Sequence, residues 1–399
     1  MQALIWEDTM RYQHIFARPW IWVLLSVLSL AAQCQASMPP LPTTPDEPTI
    51  PVALLTPSSG ELATVGRTMQ NGVEMAFDEV HSSGISGHRF ELVIYDAGCT
   101  FASARQATQQ AINDGLKFIV GPLCSEAAIA GPIAAEQANV LIFAPAAAHP
   151  LVTVNPQGQT RPTIFRGSFS YDLQGQAAAR FGRETLNLSR AAIFVNPADD
   201  YSSELVQAFT RQFTTAGGRI VYQSDYSPDT TDFLASIMSA GQAGAELIYL
   251  PASVTIANRV AAQFQASEWA DSLTLLGSDA WDFDSLDLAA AEGSYFPVHF
   301  SPDNPQPHVQ SWIETYEARY ATAPNALAAV SYDSAHLLAE AIRQAGSNEP
   351  AKVAQYLEGS VFDAITGPVS FDAHHNPLKP VPFVKVEKGH TIYITSVLP

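Results

Sequence analysis

Residues 118–150 read FIVGPLCSEAAIAGPIAAEQANVLIFAPAAAHP, and this stretch has the pattern of a parallel α/β unit. Two apolar runs, Phe118–Val120 and Val140–Phe143, predict strands, and Ser125–Gln137 between them predicts a helix. Each run ends in small residues, GPLCS after the first and APAAA after the second. Because ligands bind at the carboxyl ends of the strands in doubly wound domains, we expect these two loops to border a binding site.

Ser125 is expected at the N-terminus of the helix that follows the first run. Its hydroxyl and the free N–H groups of the first helical turn provide a site for a carboxylate or another oxygen-rich group. The alternative role is a helix N-cap, and the two roles are compatible. No nucleophile–base pair lies nearby, and Glu126 and Ala127 do not fit the Gly-x-Ser-x-Gly elbow of a hydrolase. The stretch therefore predicts a pocket that holds a small molecule and contains no catalytic residue.

The first 36 residues have the pattern of an export signal. Arg11 and Arg18 give a positive segment, and the apolar stretch Pro19–Ala32 follows it. Small residues at both recognition positions predict cleavage before Ser37. We therefore expect a periplasmic protein.

Two alternatives to cleavage concern the same segment. One is an uncleaved membrane anchor, although the apolar run is short for a membrane span. The other is a lipid attached to Cys34, although Gln33 in front of it is a poor fit to the small residue that such a site prefers. A Pro-rich linker over residues 37–49 follows in either case.

The chain contains three cysteines, Cys34, Cys99 and Cys124. Cleavage removes the first, and the remaining pair is expected to form a disulfide because exported proteins fold in an oxidising compartment. Both cysteines follow predicted strands, so a bridge between them is geometrically sensible. Two buried free thiols are the alternative.

The formal net charge is −19 at pH 7. This acidity disfavours nucleic acid and anionic membrane surfaces as partners. After the signal, no apolar run approaches the length of a membrane span.

Strand and helix patterns alternate from Ile50 to Gly277, which predicts an α/β fold with parallel sheets and right-handed crossovers. The length favours two domains, here two Rossmann-like lobes with parallel central sheets joined by a multi-strand hinge. We expect lobe 1 to comprise residues 50–167 and 300–366, and lobe 2 to comprise residues 170–297 and 368–399. The expected crossings lie near Arg166–Ser170, Tyr295–Ser301 and Ile365–Val369.

An ordered set of motifs resembles the periplasmic branched-chain amino-acid binding proteins of ABC importers, which have the type I binding-protein fold. The resemblance spans about Ile50 to Val397, and the paired cysteines and the export signal are part of it. The motifs are Ser58-Ser59-Gly60, Asn71-Gly72, Asp96–Cys99, Gly121–Ser125, the loop Ala144–Pro150, Gly277-Ser278-Asp279 and Ser331–Ser334.

The resemblance implies a role for each of five residues in binding an amino acid. Ser125 would bind the ligand carboxylate, and the carbonyl of Ala146 would accept a hydrogen bond from the ligand ammonium. Asp279 stands where the family has an acidic residue that pairs with this ammonium. Tyr201 would close over the ligand from lobe 2, and Tyr332 would line the cleft from the returning segment.

Three positions depart from the family pattern. Ala148 replaces a hydroxyl residue that touches both charged ends of the amino acid, while Val65 and Ser253 replace pocket aromatics. A polar group left without a partner in a closed cleft costs about 1–3 kcal/mol. We therefore expect a specificity different from that of leucine binding.

The function that the resemblance implies is capture of an amino acid or amino-acid-like molecule and its delivery to the permease subunits of an ABC importer. The alternative is a ligand sensor of the same fold, for an amide or a small carboxylate, that docks to a membrane receptor. We expect a monomer that uses no cofactor and no metal. His374-His375 beside Asp372 lacks further ligands at metal-binding spacing and predicts an exposed turn.

Overall fold

Two large β-sheets organise the chain from Pro48 to Pro399. The computed structural model describes residues 48–82, 88–282 and 285–399. The predicted export signal, and the linker as far as residue 47, lie outside the described residues. Each sheet carries packed helices, so the predicted α/β architecture with two lobes is confirmed.

The first sheet consists of β1 Thr49–Thr56, β2 Arg89–Asp96, β3 Phe118–Val120, β4 Leu141–Ala144 and β5 Ile164–Arg166. All neighbours are parallel, in the order β2-β1-β3-β4-β5. Strands β3, β4 and β5 are buried at every position, because helices cover both faces of a parallel sheet. This burial explains why these strands read as continuous apolar runs.

Three helices connect these strands: α1 Ala63–Ser82, α2 Phe101–Asn113 and α3 Ser125–Ala138. The buried face of α1 includes Met69, Val73 and Phe77, which recur at helical spacing. Helix α2 begins with a capping box between Thr100 and Ser103.

The second sheet begins with β6 Arg190–Val195, β7 Arg219–Asp225, β8 Leu247–Tyr249, β9 Thr274–Leu276 and β10 Tyr295–Pro297. These strands are parallel wherever they pair. Their helices are α4 Tyr171–Arg180, continued by a π-helical turn over Phe181–Thr185, α5 Asp200–Thr215, α6 Leu234–Gln242 and α7 Val254–Gln265. Short 3-10 turns occupy Gly60–Leu62, Pro150–Val152 and Asp279–Trp281.

The chain then returns to the first lobe through α8 Pro307–Tyr320, α9 Ala326–Ala345 and α10 Pro350–Glu358. Apolar side chains of these helices pack into the core that covers the first sheet. A small antiparallel pair follows, formed by β11 Ser370–Phe371 and β12 Pro377–Leu378.

The last two strands, β13 Val381–Glu387 and β14 His390–Val397, complete the second sheet. Strand β13 pairs antiparallel with β10, and β14 pairs antiparallel with β13. The second sheet is therefore mixed and not wholly parallel, because the chain re-enters it through a hairpin at its edge.

The chain crosses between the lobes three times. The first crossing runs from β5 to α4, and the second leaves β10 and reaches Phe300, which packs against Trp312 of α8. The third crossing lies between β12 and β13, later than the predicted Ile365–Val369. Val369 and Phe371 belong to the core of the first lobe, where the Phe371 ring lies 5.1 Å from that of Phe165.

This burial corrects two predicted boundaries. Residues 368–378 stay with lobe 1, and the closing part of lobe 2 begins only near Val381. Local hydrogen bonds hold the segment in place, because Phe362 and Val369 exchange both backbone N–H groups and carbonyls at 2.8 Å.

Candidate functional site

Ser125 is the first residue of α3, just after β3. The N-cap position belongs to Cys124, so the alternative N-cap role of Ser125 is wrong. Cys124 makes no side-chain capping hydrogen bond, and its sulfur is bonded to Cys99. The helix thus begins without a side-chain cap, and the half-buried Ser125 lies beside its first-turn N–H groups. Such an arrangement favours a negatively charged ligand group.

The predicted disulfide between Cys99 and Cys124 is present, with Cα atoms 5.3 Å apart. Cys99 follows β2 and Cys124 follows β3, while β1 lies between these strands in the sheet. The bridge therefore ties two loops together across the carboxyl end of β1 and fixes the start of α3.

The loop Ala144–Pro150 lies at the carboxyl end of β4, the strand beside β3. Its shape is held by Arg166, a fully buried residue at the end of β5. The guanidinium donates to the carbonyls of Ala147, Ala148, His149 and Pro150 at 2.5–3.3 Å. Ala148 is therefore held through its backbone, and the Ala146 carbonyl is not one of these four acceptors.

Arg166 also donates to the hydroxyl of Thr153 at 3.0 Å. Burial lowers the pKa of Arg166 to about 10. The guanidinium thus remains charged at neutral pH and satisfies carbonyls from Ala147 to Pro150, just before and at the start of a 3-10 turn.

In the second lobe, Asp279 is the centre of a hydrogen-bond cluster beyond the carboxyl end of β9. The hydroxyl of Tyr201, in the first turn of α5, donates to Oδ1 of Asp279 at 2.5 Å. Nε2 of His299 lies 3.1 Å from Oδ2. The N–H of Asp279 donates to Oε1 of Gln174 at 3.1 Å, and the N–H of Ala280 donates to the Tyr201 hydroxyl at 3.3 Å.

These contacts control the charge of the cluster. Burial acts to raise the pKa of Asp279, but hydrogen bonds from His299 and Tyr201 outweigh it and lower this pKa below its ordinary value. Burial lowers the pKa of His299 despite the nearby carboxylate. Burial and the Asp279 charge together raise the pKa of Tyr201. At neutral pH the cluster therefore carries one negative charge, on Asp279.

Tyr171 of α4 connects this cluster with the first lobe. Its ring packs edge-on against Tyr201, with centroids 5.1 Å apart. It also meets the ring of His149, in the loop held by Arg166, with centroids 6.3 Å apart. Aromatic contacts thus run from the first-lobe loop through Tyr171 to the Asp279 cluster.

The remaining predicted pocket residues are placed differently. Ser253 is exposed at the N-cap of α7 and makes no side-chain capping hydrogen bond. Val65, in the first turn of α1, is 38% exposed. Both side chains are thus exposed to solvent, and neither belongs to the Asp279 hydrogen-bond cluster.

Tyr332 does not line the cleft. It is 4% exposed in the core of the first lobe, and its hydroxyl donates to Glu79 at 2.5 Å. Glu79 lies in the last turn of α1, which runs from the carboxyl end of β1 back toward the amino end of β2. The hydroxyl is therefore turned away from the edge of the sheet that carries Ser125.

The expected exposed turn at His374-His375 is wrong for the second histidine. His375 is 3% exposed, stacks on Phe165 at a centroid distance of 4.0 Å and lies with Nε2 3.0 Å from Glu358. Only His374 is exposed. No group of three or more histidine, cysteine or acidic side chains in the described segments is arranged to hold a metal ion.

Arg166, Gln174 and His299 were not predicted as site residues. Arg166 and His299 lie in segments predicted as crossings, and Gln174 lies in the part of the chain where strand and helix patterns alternate. A polar residue in an apolar crossing segment was the available signal for Arg166 and His299. The partner of Arg166, Ala148, is 18 residues away in sequence, and the partner of His299, Asp279, is 20 residues away. Within the described residues, no helix is long and apolar enough to cross a membrane.

The sequence pattern of the periplasmic binding protein family matches residues 49–391. The chain is 26% identical over 328 residues to the leucine-, isoleucine-, valine-, threonine- and alanine-binding protein of Pseudomonas aeruginosa, covering 81% of this chain and 86% of that protein. It is 23% identical over 326 residues to the Leu/Ile/Val-binding protein of Escherichia coli, with 81% and 86% coverage.

Solved structures agree with this relationship. A leucine-binding protein from Thermotoga maritima superimposes with a TM-score of 0.69 at 26% identity, covering 88% of this chain and 99% of that one. A branched-chain amino-acid transporter substrate-binding protein from Streptococcus pneumoniae, in complex with isoleucine, gives 0.70 at 25% identity, with 88% and 100% coverage. This chain therefore belongs to the periplasmic binding protein family.

Proposed function

We propose that this protein captures an amino acid or amino-acid-like molecule between its lobes and delivers it to an ABC importer. The observation that carries the proposal is the charge arrangement of the two lobes. The uncapped N-terminus of α3 beside Ser125 attracts an anionic group, and the ionised Asp279 attracts a cationic one. A zwitterion satisfies both, and the named relatives bind zwitterionic amino acids.

The side-chain pocket is proposed to differ from that of a leucine-binding protein. Small side chains stand at three pocket positions, Ala148, Val65 and Ser253. Val65 and Ser253 are exposed. These small residues leave more room around the α-carbon and the side chain of the ligand, which fits amino acids other than leucine.

Export, delivery and assembly are part of the same proposal. The signal pattern of residues 1–36 supports secretion to the periplasm, and the family supports a permease as partner. We propose that the protein acts as a monomer without a cofactor, and that it binds its ligand without transforming it.

A sensor for an amide or a small carboxylate is the second candidate, and one observation favours a ligand of this class. Both carboxylate oxygens of Asp279 already accept hydrogen bonds within the protein, from Tyr201 and His299. A ligand without an ammonium group leaves these bonds undisturbed.

Thermal-shift measurements on the mature protein test the proposal. The ligands are the twenty amino acids, their amides, and the carboxylates that lack the amino group. A true ligand raises the melting temperature by mass action. Stabilisation by an amino acid, with compaction in X-ray scattering as the lobes close, supports capture between the lobes. Stabilisation by carboxylates or amides alone contradicts the amino-acid proposal and favours the ligand class of the second candidate.

A further inference from the structure

His299 lies on the second crossing between the lobes, two residues after β10. Its Nε2 is 3.1 Å from Oδ2 of Asp279, and the two side chains are 18% and 16% exposed. Its ring stacks on Phe169 of the first crossing, with centroids 3.9 Å apart and planes inclined by 20°. The imidazole is therefore held against the proposed ammonium-binding carboxylate by a residue of the hinge itself.

The hydrogen bonds assign the tautomer of this imidazole. Nδ1 of His299 is buried and has no hydrogen-bond partner among the described residues. A proton on Nδ1 would bury an unpaired N–H, which costs about 1–3 kcal/mol. The favoured form is thus neutral, with the proton on Nε2 donated to Asp279.

One charged group, the carboxylate of Asp279, contacts the imidazole of His299 directly and favours its protonation. Asp279, after β9, is the carboxylate in contact. Tyr201 of α5 donates to the other oxygen of this carboxylate, and Gln174 of α4 accepts from the backbone N–H of Asp279. Lys379 of the third crossing is close enough for its positive charge to oppose protonation of the imidazole. Phe169 on the stacked face is apolar.

We propose that His299 is a specificity-determining residue of the cleft, which preserves the charge of Asp279 when neutral and cancels it when protonated. The site then prefers an amino acid over the matching carboxylate at neutral pH and loses this preference in acid. This inference rests on the proposed function, because it concerns the carboxylate that would meet the ligand ammonium.

The direction of the pH effect follows from linkage. Burial holds the pKa of His299 below 6.5, so the residue is neutral at pH 7 and becomes protonated only in more acidic solution. A bound ammonium opposes this protonation, and the affinity for an amino acid must therefore fall as pH falls through this range. The affinity for a carboxylate without an amino group does not fall for this reason.

The test is calorimetry on the mature protein at pH 5 to 8. The probes are leucine with 4-methylpentanoate, valine with 3-methylbutanoate, and alanine with propanoate, each corrected for ligand ionisation. In the wild type, we expect the ratio of amino-acid to carboxylate affinity to be lower at pH 5 than at pH 8, falling by up to about tenfold for each pH unit below the pKa of His299. In His299→Gln, which keeps an N–H donor but does not titrate, the ratio should be flat from pH 7 to pH 5, a range below the pKa of Lys379, which is about 8. His308→Gln, at an exposed histidine of α8, should behave as the wild type.

Three results overturn the inference, and they are distinguishable. If an amino acid binds the wild type at pH 8 but the affinity ratio does not change with pH, His299 does not determine specificity, and the proposed function remains intact. If the affinity ratio of His299→Gln depends on pH as in the wild type, only the role of His299 is excluded. If no amino acid, neither these three nor any of the twenty in the thermal-shift screen, binds at pH 8, the proposed function in its amino-acid form fails and the inference fails with it.

NMR titration provides a second measurement that does not depend on the folding of His299→Gln. The imidazole of His299 in the ligand-free wild type should titrate below pH 6.5. In Asp279→Asn its pKa should fall further, because the carboxylate that favours the imidazolium is gone. An unchanged titration in this variant contradicts the coupling.

Discussion

The hydroxyl of Tyr201 donates a 2.5 Å hydrogen bond to Oδ1 of Asp279, which is 78 residues away in sequence. Tyr201 enters from the first turn of α5 and Asp279 from the turn after β9, so the bond joins two carboxyl-end loops of the second sheet. It fixes the orientation of the carboxylate that we propose as the ammonium site.

Asp279→Asn should weaken the binding of a zwitterionic amino acid by about tenfold or more, because charge-assisted hydrogen bonds contribute roughly 1.5–3 kcal/mol each. Binding of a simple carboxylate should change little. Calorimetry with the best ligand of the thermal-shift screen measures both. Asp303→Asn, at an exposed aspartate, is the control and should leave both affinities unchanged. An unaltered amino-acid affinity in Asp279→Asn would remove Asp279 from the site.

Replacing Cys99 and Cys124 with serine together should lower the free energy of unfolding. The bridge closes a loop with a sequence separation of 25 residues. The loop-entropy relation gives a loss of about 3 kcal/mol. Urea denaturation measures this loss, and the wild type under reducing conditions should match the double variant. Mass spectrometry without reductant that finds both thiols free in the exported protein would contradict the bridge.

Arg166→Leu should destabilise the fold by at least about 3 kcal/mol, because it leaves several buried carbonyls of the loop before Thr153 without a donor. Chemical denaturation is the measurement. Arg105→Leu, at an exposed arginine of α2, is the matched control and should stay within about 0.5 kcal/mol of the wild type. Equal stability of the two variants would show that Arg166 does not hold the loop.

Lys379 gives a pH-dependent prediction. It is 1% exposed, donates to the hydroxyl of Thr366 at 3.0 Å, and burial lowers the pKa of Lys379 to about 8. Between this value and the ordinary lysine pKa of 10.5, the unfolded chain binds more protons than the folded one. This lysine should therefore make the protein more stable as pH rises through that window.

Lys379→Met should abolish this contribution. The stability of the variant relative to the wild type should decrease by up to roughly 3 kcal/mol between pH 7 and pH 10.5. Urea denaturation at several pH values measures the difference. Lys352→Met, at an exposed lysine of α10, should show no such trend. A constant difference between Lys379→Met and the wild type would mean that Lys379 titrates normally.

Local sequence determined the elements and their order. Short apolar runs such as Phe118–Val120, flanked by helical patterns, predict buried strands, and small residues after them mark the loops at their carboxyl ends. The pairing of Cys99 with Cys124 followed from the export signal and the cysteine count, and the disulfide is present. These features depend on periodicity, residue size and compartment, all of which are local or compositional.

Tertiary structure alone decided which polar side chains meet. His299 contacts Asp279, Arg166 holds the loop around Ala148, and Tyr332 turns to Glu79 and away from the cleft. Phe371 is also buried in the core of the first lobe, and the third crossing therefore lies nearer to Val381 than predicted. The physical reason is that a buried polar or aromatic group takes its partner from whichever distant element packs against it, and no spacing along the chain encodes that choice.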